Sequence, residues 1–342
     1  MRVALIGFGT VGQSLVNVLH EKEAYLKKEY GLNIELVAVS DIMKGSVMDD
    51  DGLDKVELLK LVAETGSIGA YPKGVKGLSS VETIRRSEAD VVIEVAWTNL
   101  ETGEPGITHI KEALRSEKHV VTSNKGPIAL AYKELMNLAD ENNVKLLYEC
   151  TVMSGTPVIS MASNGLAGNR VKAFKGILNG TTNYILTKMS EGESYGSALK
   201  EAQRLGYAEA EPSADVEGWD AVGKTVILAN TLMSAGLSPN MVERKGITEV
   251  TSEDVENAED NGGVIKLIAQ AWMEEERVKA KVSPELIEFD DPLANVTGAM
   301  NALTLTTEGL GDVTIIGKGA GGVETAHGIL SDLLAIHRAN LG

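Results

Sequence analysis

Two lysines and a group of carboxylates are the residues best placed to do chemistry in this chain. In Asp215-Val-Glu-Gly-Trp-Asp220-Ala-Val-Gly-Lys224, an acid and a base stand four apart. On a helix that spacing puts both side chains on one face. No charge follows Lys224 for 18 residues, through TVILANTLMSAGLSPNMV. An ion pair opening so apolar a helix is expected at its buried or cleft end. The alternative is an ordinary surface pair, which contributes little. Glu209, Glu211 and Asp215 lie just upstream. Carboxylates clustered beside one lysine can bind a substrate ammonium while holding the lysine charged. They also suit a solvated acidic loop.

A second arrangement suits phosphate. Gly7-Phe8-Gly9-Thr10-Val11-Gly12 matches G-x-G-x-x-G and follows the apolar run RVALI. Gly7 permits the tight turn, Gly9 lets backbone approach a pyrophosphate, and Gly12 lets helix and strand pack closely. The helix N-terminus favours the phosphate charge. Asp41 ends the next strand, ELVAVSD, 29 positions after Gly12. An acid there binds a ribose 2′-hydroxyl, whereas Lys44 could meet a 2′-phosphate. Both also read as plain loop charges, so the choice between NAD and NADP stays open. Lys125, in Thr122-Ser-Asn124-Lys125-Gly126-Pro127, follows another strand. Ligands of open α/β sheets bind at the carboxyl ends of strands, although a lone loop lysine is commonly just exposed.

The elements that must position these groups follow from periodicity. Strands are expected at 2–6, 35–41, 89–96, 119–123 and 144–152. Helices are expected at 11–29, from Asp54, and at 108–117 and 131–143. Strands alternating with helices predict a parallel, doubly wound α/β sheet. The near-continuous apolar run ADVVIEVA fits a sheet covered on both faces. After about residue 155 the pattern changes. Stretches 174–192 and 194–210 contain helix broken by glycine, and 219–236 is a buried-helix candidate. Residues 276–291 and 296–316 contain strand-like runs. The segment ETAHGILSDLLAIHRAN is helical, with Thr325, Ile329 and Leu333 at four-residue steps.

Composition narrows the partners. The 342 residues allow about two domains, or one large one. With 49 acidic against 32 basic residues, net charge is −17, which argues against nucleic acid. Cys150 is the one cysteine, so no disulfide framework or cysteine-based zinc site is expected, and a reducing compartment is the simplest inference. No apolar stretch reaches the ~20 residues that span a bilayer. The start of the chain reads as a buried strand, not a signal peptide. A cytoplasmic protein is expected.

Together these residues resemble the homoserine dehydrogenases. Gly176-Ile-Leu-Asn-Gly180-Thr181-Thr182-Asn183-Tyr184-Ile185-Leu186 is similar to that family's signature. It stands with Gly206-Tyr-Ala-Glu209, Asp215 and the Asp220/Lys224 pair. The similarity runs from GFGTVG to Gly317-Lys-Gly-Ala-Gly321-Gly-Val-Glu-Thr-Ala. It implies NAD(P)-dependent interconversion of L-homoserine and L-aspartate 4-semialdehyde, a step toward threonine and methionine, in a homodimer. The implied fold is a Rossmann-type doubly wound domain at 1–155, an α+β catalytic and dimerisation domain at 156–316, and a segment at 317–342 returning to the first domain.

By matching motifs, Lys224 looks like the general acid that protonates the aldehyde oxygen in reduction, with Lys125 its catalytic partner near substrate and nicotinamide. Glu209, Asp215 and Asp220 look like substrate ligands, with Gly180 and Thr181 nearby. The cofactor set would be Gly7 to Gly12, Asp41, Ala96, Lys125 and Gly321. A sodium-type site would map onto Glu149, Val152, Ser154 and Thr156. Trp97 departs from the family, where proline is common before Thr-Asn. Cys150 and Met153 replace commoner small residues, and Ser123 replaces the usual alanine. Only 21 residues follow Gly321, so control through a fused regulatory domain is not expected.

Two rival readings remain. An acylating semialdehyde dehydrogenase needs a thiolate with a histidine base, and Cys150 is its only candidate. It sits in an apolar pattern, and no motif links a histidine to it. A nucleotide sensor could keep the fold without chemistry, but it would not need the lysine and carboxylate set.

Overall fold

A computed structural model describes residues 1–339. The chain forms two compact units: Met1–Gly155 with the chain from Gly321 onward, and Thr156–Ala320.

Unit 1 runs β1 (Arg2–Ile6), α1 (Thr10–Glu21), α2 (Glu23–Tyr30), β2 (Glu35–Asp41), β3 (Gly45–Met48), α3 (Lys55–Thr65), β4 (Val75–Lys76), α4 (Ser80–Arg86), β5 (Val91–Glu94), α5 (Gly106–Arg115), β6 (His119–Thr122), α6 (Lys125–Glu141) and β7 (Leu146–Leu147). The sheet order is β4-β3-β2-β1-β5-β6-β7. Strands β2-β1-β5-β6-β7 pair in parallel, and β3 pairs antiparallel with both β2 and β4. Val3, Ala4, Leu5, Val37, Ala38, Val39, Val91, Val92 and Ile93 are fully buried, because helices cover both sheet faces. From β1 the chain moves first toward β2 and later to β5 on the other side. The carboxyl ends of β1 and β5 therefore form the switch point where such sheets bind ligands.

Several boundaries differ from the sequence expectation. The first helix is two, because Lys22 leaves helical geometry with ψ near 1°. The second piece buries only Leu26, so its apolar periodicity is too weak to mark the break. The strand expected at 144–152 is two residues long. Glu149–Thr151 form a 3-10 turn instead, and the Glu149 N–H bonds to Asp332 rather than to a strand. Lys125 already lies in α6, which the sequence reading begins at Ala131, where the helix kinks.

Unit 2 contains α7 (Val158–Ser160), β8 (Val171–Ile177), α8 (Gly180–Ser190), α9 (Tyr195–Arg204), α10 (Ser213–Val216), α11 (Trp219–Met233), β9 (Glu243–Arg244), α12 (Ser252–Asp260), β10 (Gly263–Glu274), β11 (Arg277–Glu288), β12 (Met300–Thr307) and β13 (Gly311–Lys318). Its sheet order is β13-β12-β8-β10-β11-β9. Phe174, Ala269, Ala271, Val282, Leu303 and Leu305 are buried on one face, while Lys175, Gln270, Lys281 and Thr314 alternate with them and are half-buried. All ten residues from Ala221 to Asn230 of α11 are buried, which explains why no charge follows Lys224 in it.

The chain then returns to unit 1 as α13 (Gly322–Ala339). Ala326, Ile329, Leu330, Leu333 and Ile336 join the same core as Leu15 and Leu19 of α1.

Candidate functional site

The glycine turn has two closed positions and one open one. Gly7 has φ +101°, and a Cβ there would lie 2.6 Å from the Val95 carbonyl oxygen. A Cβ on Gly12 would lie 2.4 Å from the Gly7 oxygen. A Cβ on Gly9 would meet nothing within 4 Å, and its φ is −75°. Gly9 also caps α1 without any side-chain acceptor, so the first-turn N–H groups of Thr10 and Val11 face no capping side chain. That cradle fits a pyrophosphate. At the other end, Gly322 lies against Thr10 and Ser14 of α1, which brings Gly321 beside the turn.

Asp41 is tied to this loop. Its carboxylate accepts from the Phe8 N–H at 2.7 Å, the Met43 N–H at 2.9 Å and the Lys44 N–H at 3.0 Å. Burial opposes its ionisation, but the three backbone donors and the Lys44 charge prevail and hold its pKa below the usual value.

The loop after β5 is fixed at several points. Glu94 is fully buried and accepts from Ala96 N–H at 3.2 Å and from the Thr122 hydroxyl at 3.2 Å, with His109 at 3.4 Å. Asn124 caps α6 by accepting from the Gly126 N–H, and its amide donates to the Trp97 carbonyl at 3.3 Å. Lys125 is the first residue of α6 and is half-buried.

Unit 2 brings Asp215, Asp220, Thr181 and Lys224 together through Asn179, a residue that the sequence reading did not single out. Lys224 is 7% exposed; its ammonium donates to the Leu178 carbonyl at 2.6 Å and pairs with Asp220 at 2.8 Å. Asn179 caps α8 through Thr182 N–H, while its amide nitrogen donates to Asp215 at 2.6 Å and Asp220 at 3.0 Å. The Thr181 hydroxyl donates to the Tyr207 carbonyl at 2.6 Å and reaches Asp215 at 3.3 Å. A Cβ on Gly180 would lie 2.7 Å from the Ala299 oxygen, so only glycine lets α8 start here. Burial first, and the Asp220 charge second, raise the Asp215 pKa against the pull of Asn179, Lys224 and Thr181. The ammonium thus pairs with Asp220, while Asp215 feels its charge and is bonded to Asn179 and Thr181. Glu209 and Glu211 are exposed; the Glu209 carbonyl accepts from Gln203 and the Glu211 carboxylate from Ser213 N–H. An asparagine just before a helix start is a cap signal, and that signal could have found Asn179.

Lys266 is a further buried residue that sequence reasoning missed. It is 3% exposed and donates to Asn183 at 3.1 Å and the Val296 carbonyl at 2.8 Å. Burial lowers its pKa to about 8. Asn183 in turn donates to Val296 and Met300 carbonyls, which ties α8 to the start of β12.

Glu149, Val152 and Ser154 share one turn of unit 1, where Met153 and Ser154 have φ of +57° and +55°. Thr156 belongs to unit 2, where its hydroxyl donates to the Lys318 carbonyl at 3.0 Å. Neutral oxygens of this kind suit a hard cation. Cys150 is buried, donates to the Thr325 carbonyl at 3.3 Å, and has its pKa driven well up by burial, then by Asp332 and Glu149. Such a thiol is not a poised nucleophile.

Residues 157–334 match the family model described as homoserine dehydrogenase, and residues 7–149 match the one for its NAD binding domain. A homoserine dehydrogenase of Methanocaldococcus jannaschii is 43% identical over 99% of both chains. The chain belongs to the homoserine dehydrogenase family. An NAD(+)-dependent homoserine dehydrogenase of Pseudomonas canavaninivorans is 44% identical over 99% of this chain and 96% of that one. Among solved structures, a putative homoserine dehydrogenase of Archaeoglobus fulgidus superposes with TM-score 0.89 at 42% identity, over 98% of this chain and 99% of that one. A hyperthermophilic archaeal homoserine dehydrogenase in complex with NADPH superposes with TM-score 0.84 at 32% identity, over 99% and 98%. As a homoserine dehydrogenase the chain is an NAD(P)-dependent oxidoreductase of amino-acid biosynthesis that acts on an alcohol group. Among the described residues no helix is long and apolar enough to cross a membrane.

Proposed function

We propose that Asp215, Asp220, Thr181 and Lys224 form the homoserine site, with Lys224 as acid and base. The observation that carries this is the buried Lys224 ammonium, held by a main-chain carbonyl and by Asp220. In the reductive direction, negative charge grows on the aldehyde oxygen. A fixed ammonium stabilises that charge and then gives up its proton. In oxidation, the same lysine accepts the hydroxyl proton. Asp215 and Asp220 hold the substrate ammonium, with Gly180 and Glu209 at the rim. The nicotinamide cofactor supplies or accepts the hydride. Gly7 to Gly12, Ala96 and Gly321 bind it, and Lys125 is the second catalytic lysine. In unit 1, carbonyls of Glu149 and Val152, with Ser154, would hold a sodium-type ion. A homodimer follows from the family resemblance, and a cytoplasmic location from the single cysteine.

The test is homoserine-dependent reduction of NAD+ and NADP+ in parallel. No reduction with either, by folded protein that still binds nucleotide, would overturn the reading. NAD+ should be the better cofactor. The Asp41 carboxylate is held ionised by three N–H donors, and the next two residues, Ile42 and Met43, are apolar and exposed. A 2′-phosphate there meets a like charge. Asp41→Ser should raise the NADP+/NAD+ ratio of kcat/KM about tenfold or more; an unchanged ratio rejects the assignment.

Gly9 allows a cleaner test. Its φ suits any residue and its surroundings are open. Gly9→Ala should keep or slightly raise Tm, yet weaken NAD(P) binding about tenfold by blocking the pyrophosphate. Calorimetric titration beside a melting curve separates the two effects.

A further inference from the structure

We infer that Trp97 is part of the dinucleotide site, its indole covering the nicotinamide half of the bound cofactor. The inference rests on reading the glycine turn as the cofactor cradle. Trp97 is 62% exposed, although an indole carries a large apolar face. The other two tryptophans are accounted for. Trp219 lies under the Arg244 guanidinium at 3.8 Å, and Trp272 is half-buried in β10. Among the described residues, no ring or cation stacks on Trp97.

Its position is defined by the backbone. A Cβ on Gly7 would lie 2.8 Å from the Ala96 nitrogen, so the loop begins pressed against the glycine turn. A Cβ on Gly126 would lie 2.3 Å from the Asn99 oxygen, so the loop ends pressed against the start of α6. Between them, the Trp97 carbonyl is held by Asn124. Trp97 therefore stands between the glycine turn and Lys125, on a stretch anchored on both sides.

The direction of the ligand follows from the sheet. The glycine turn, after β1, takes the pyrophosphate. Asp41, the last residue of β2, takes the adenosine ribose. An extended dinucleotide then has its nicotinamide half on the other side of β1, over β5 and β6. The loop carrying Trp97 occupies that side. An indole carried on an anchored backbone offers apolar cover and a stacking face.

The test uses NADH and ADP-ribose, which lacks the nicotinamide, with no substrate present. With three tryptophans in the chain, excitation of indole in the wild type should produce sensitised emission from bound NADH. Trp97→Phe should lose most of that emission and still bind NADH. Trp97→Ala should weaken NADH about five- to thirtyfold and leave ADP-ribose affinity unchanged. Wild-type NADH affinity in Trp97→Ala, equal losses for both ligands, or full energy transfer in Trp97→Phe would each overturn the inference. If the wild type binds neither ligand, the cofactor reading falls with it. If the wild type binds both and Trp97→Ala changes nothing, only the role of Trp97 falls.

Discussion

Exchange of Lys224 for methionine is expected to lower kcat for homoserine oxidation by about 10²–10⁴-fold, the usual contribution of a positioned acid–base group. Methionine preserves much of the apolar stem, so the packing of α11 should survive. What disappears is the ammonium between the Leu178 carbonyl and Asp220. Unit 1 retains the glycine turn and Asp41, so NAD(P) affinity should stay within a few-fold of wild type. Lys224→Arg should not restore turnover, because a planar fork does not reproduce a compact ammonium and gives up its proton far less readily. The measurement is steady-state kinetics beside nucleotide titration. A fall in kcat smaller than tenfold would remove Lys224 from the reaction. Loss of nucleotide binding in step with activity would point to a folding defect.

Asp215→Asn should act on KM. A hydrogen bond to a charged group contributes about 1.5–3 kcal/mol, so homoserine KM is expected to rise roughly ten- to hundredfold, with a smaller change in kcat. The pH profile is the sharper readout. Burial, then the Asp220 charge, raises the Asp215 pKa. It binds an ammonium only when ionised. Activity at limiting homoserine should therefore fall as pH drops through this raised pKa, and that limb should vanish in Asp215→Asn. The stability consequence has the opposite sign. With its folded pKa above the unfolded one, the group favours the fold at low pH and loses that contribution as pH rises through the folded pKa. Asp215→Asn should therefore melt higher than wild type at neutral pH and nearly the same in acid. A carboxylate that costs stability where it works is a familiar trade at ligand sites. An unchanged KM, with the acid limb intact, would exclude Asp215 from the substrate site.

The parts of the molecule legible in sequence are those where one local signal suffices. The glycine turn announces itself because strand, G-x-G-x-x-G and helix are contiguous. The pairing of Asp220 with Lys224 is visible because helical spacing alone places them on one face. Apolar runs without alternation mark the parallel strands, since both faces of the unit 1 sheet are covered. What is hidden depends on partners distant in the chain. Asn179 links Asp215 and Asp220 across 36 and 41 residues. Lys266 looks like an ordinary strand lysine, yet it is held by Val296 and Asn183. The strand β10 mixes buried Leu267, Ile268, Ala269 and Ala271 in a run that period-2 reading does not separate from helix. The 3-10 turn at Glu149–Thr151 owes its place to Asp332, 183 residues away.

The return of α13 to unit 1 has a consequence for how the protein is made. Unit 2 is one uninterrupted stretch, so everything it packs against itself emerges in order from the ribosome. Unit 1 cannot complete its core until Gly322–Ala339 has been synthesised, because Ala326, Ile329, Leu333 and Ile336 fill the same interior as Leu5, Leu15 and Val39. Biogenesis is therefore expected to run against the order of the sequence: the nucleotide-binding half is translated first and becomes a finished fold last.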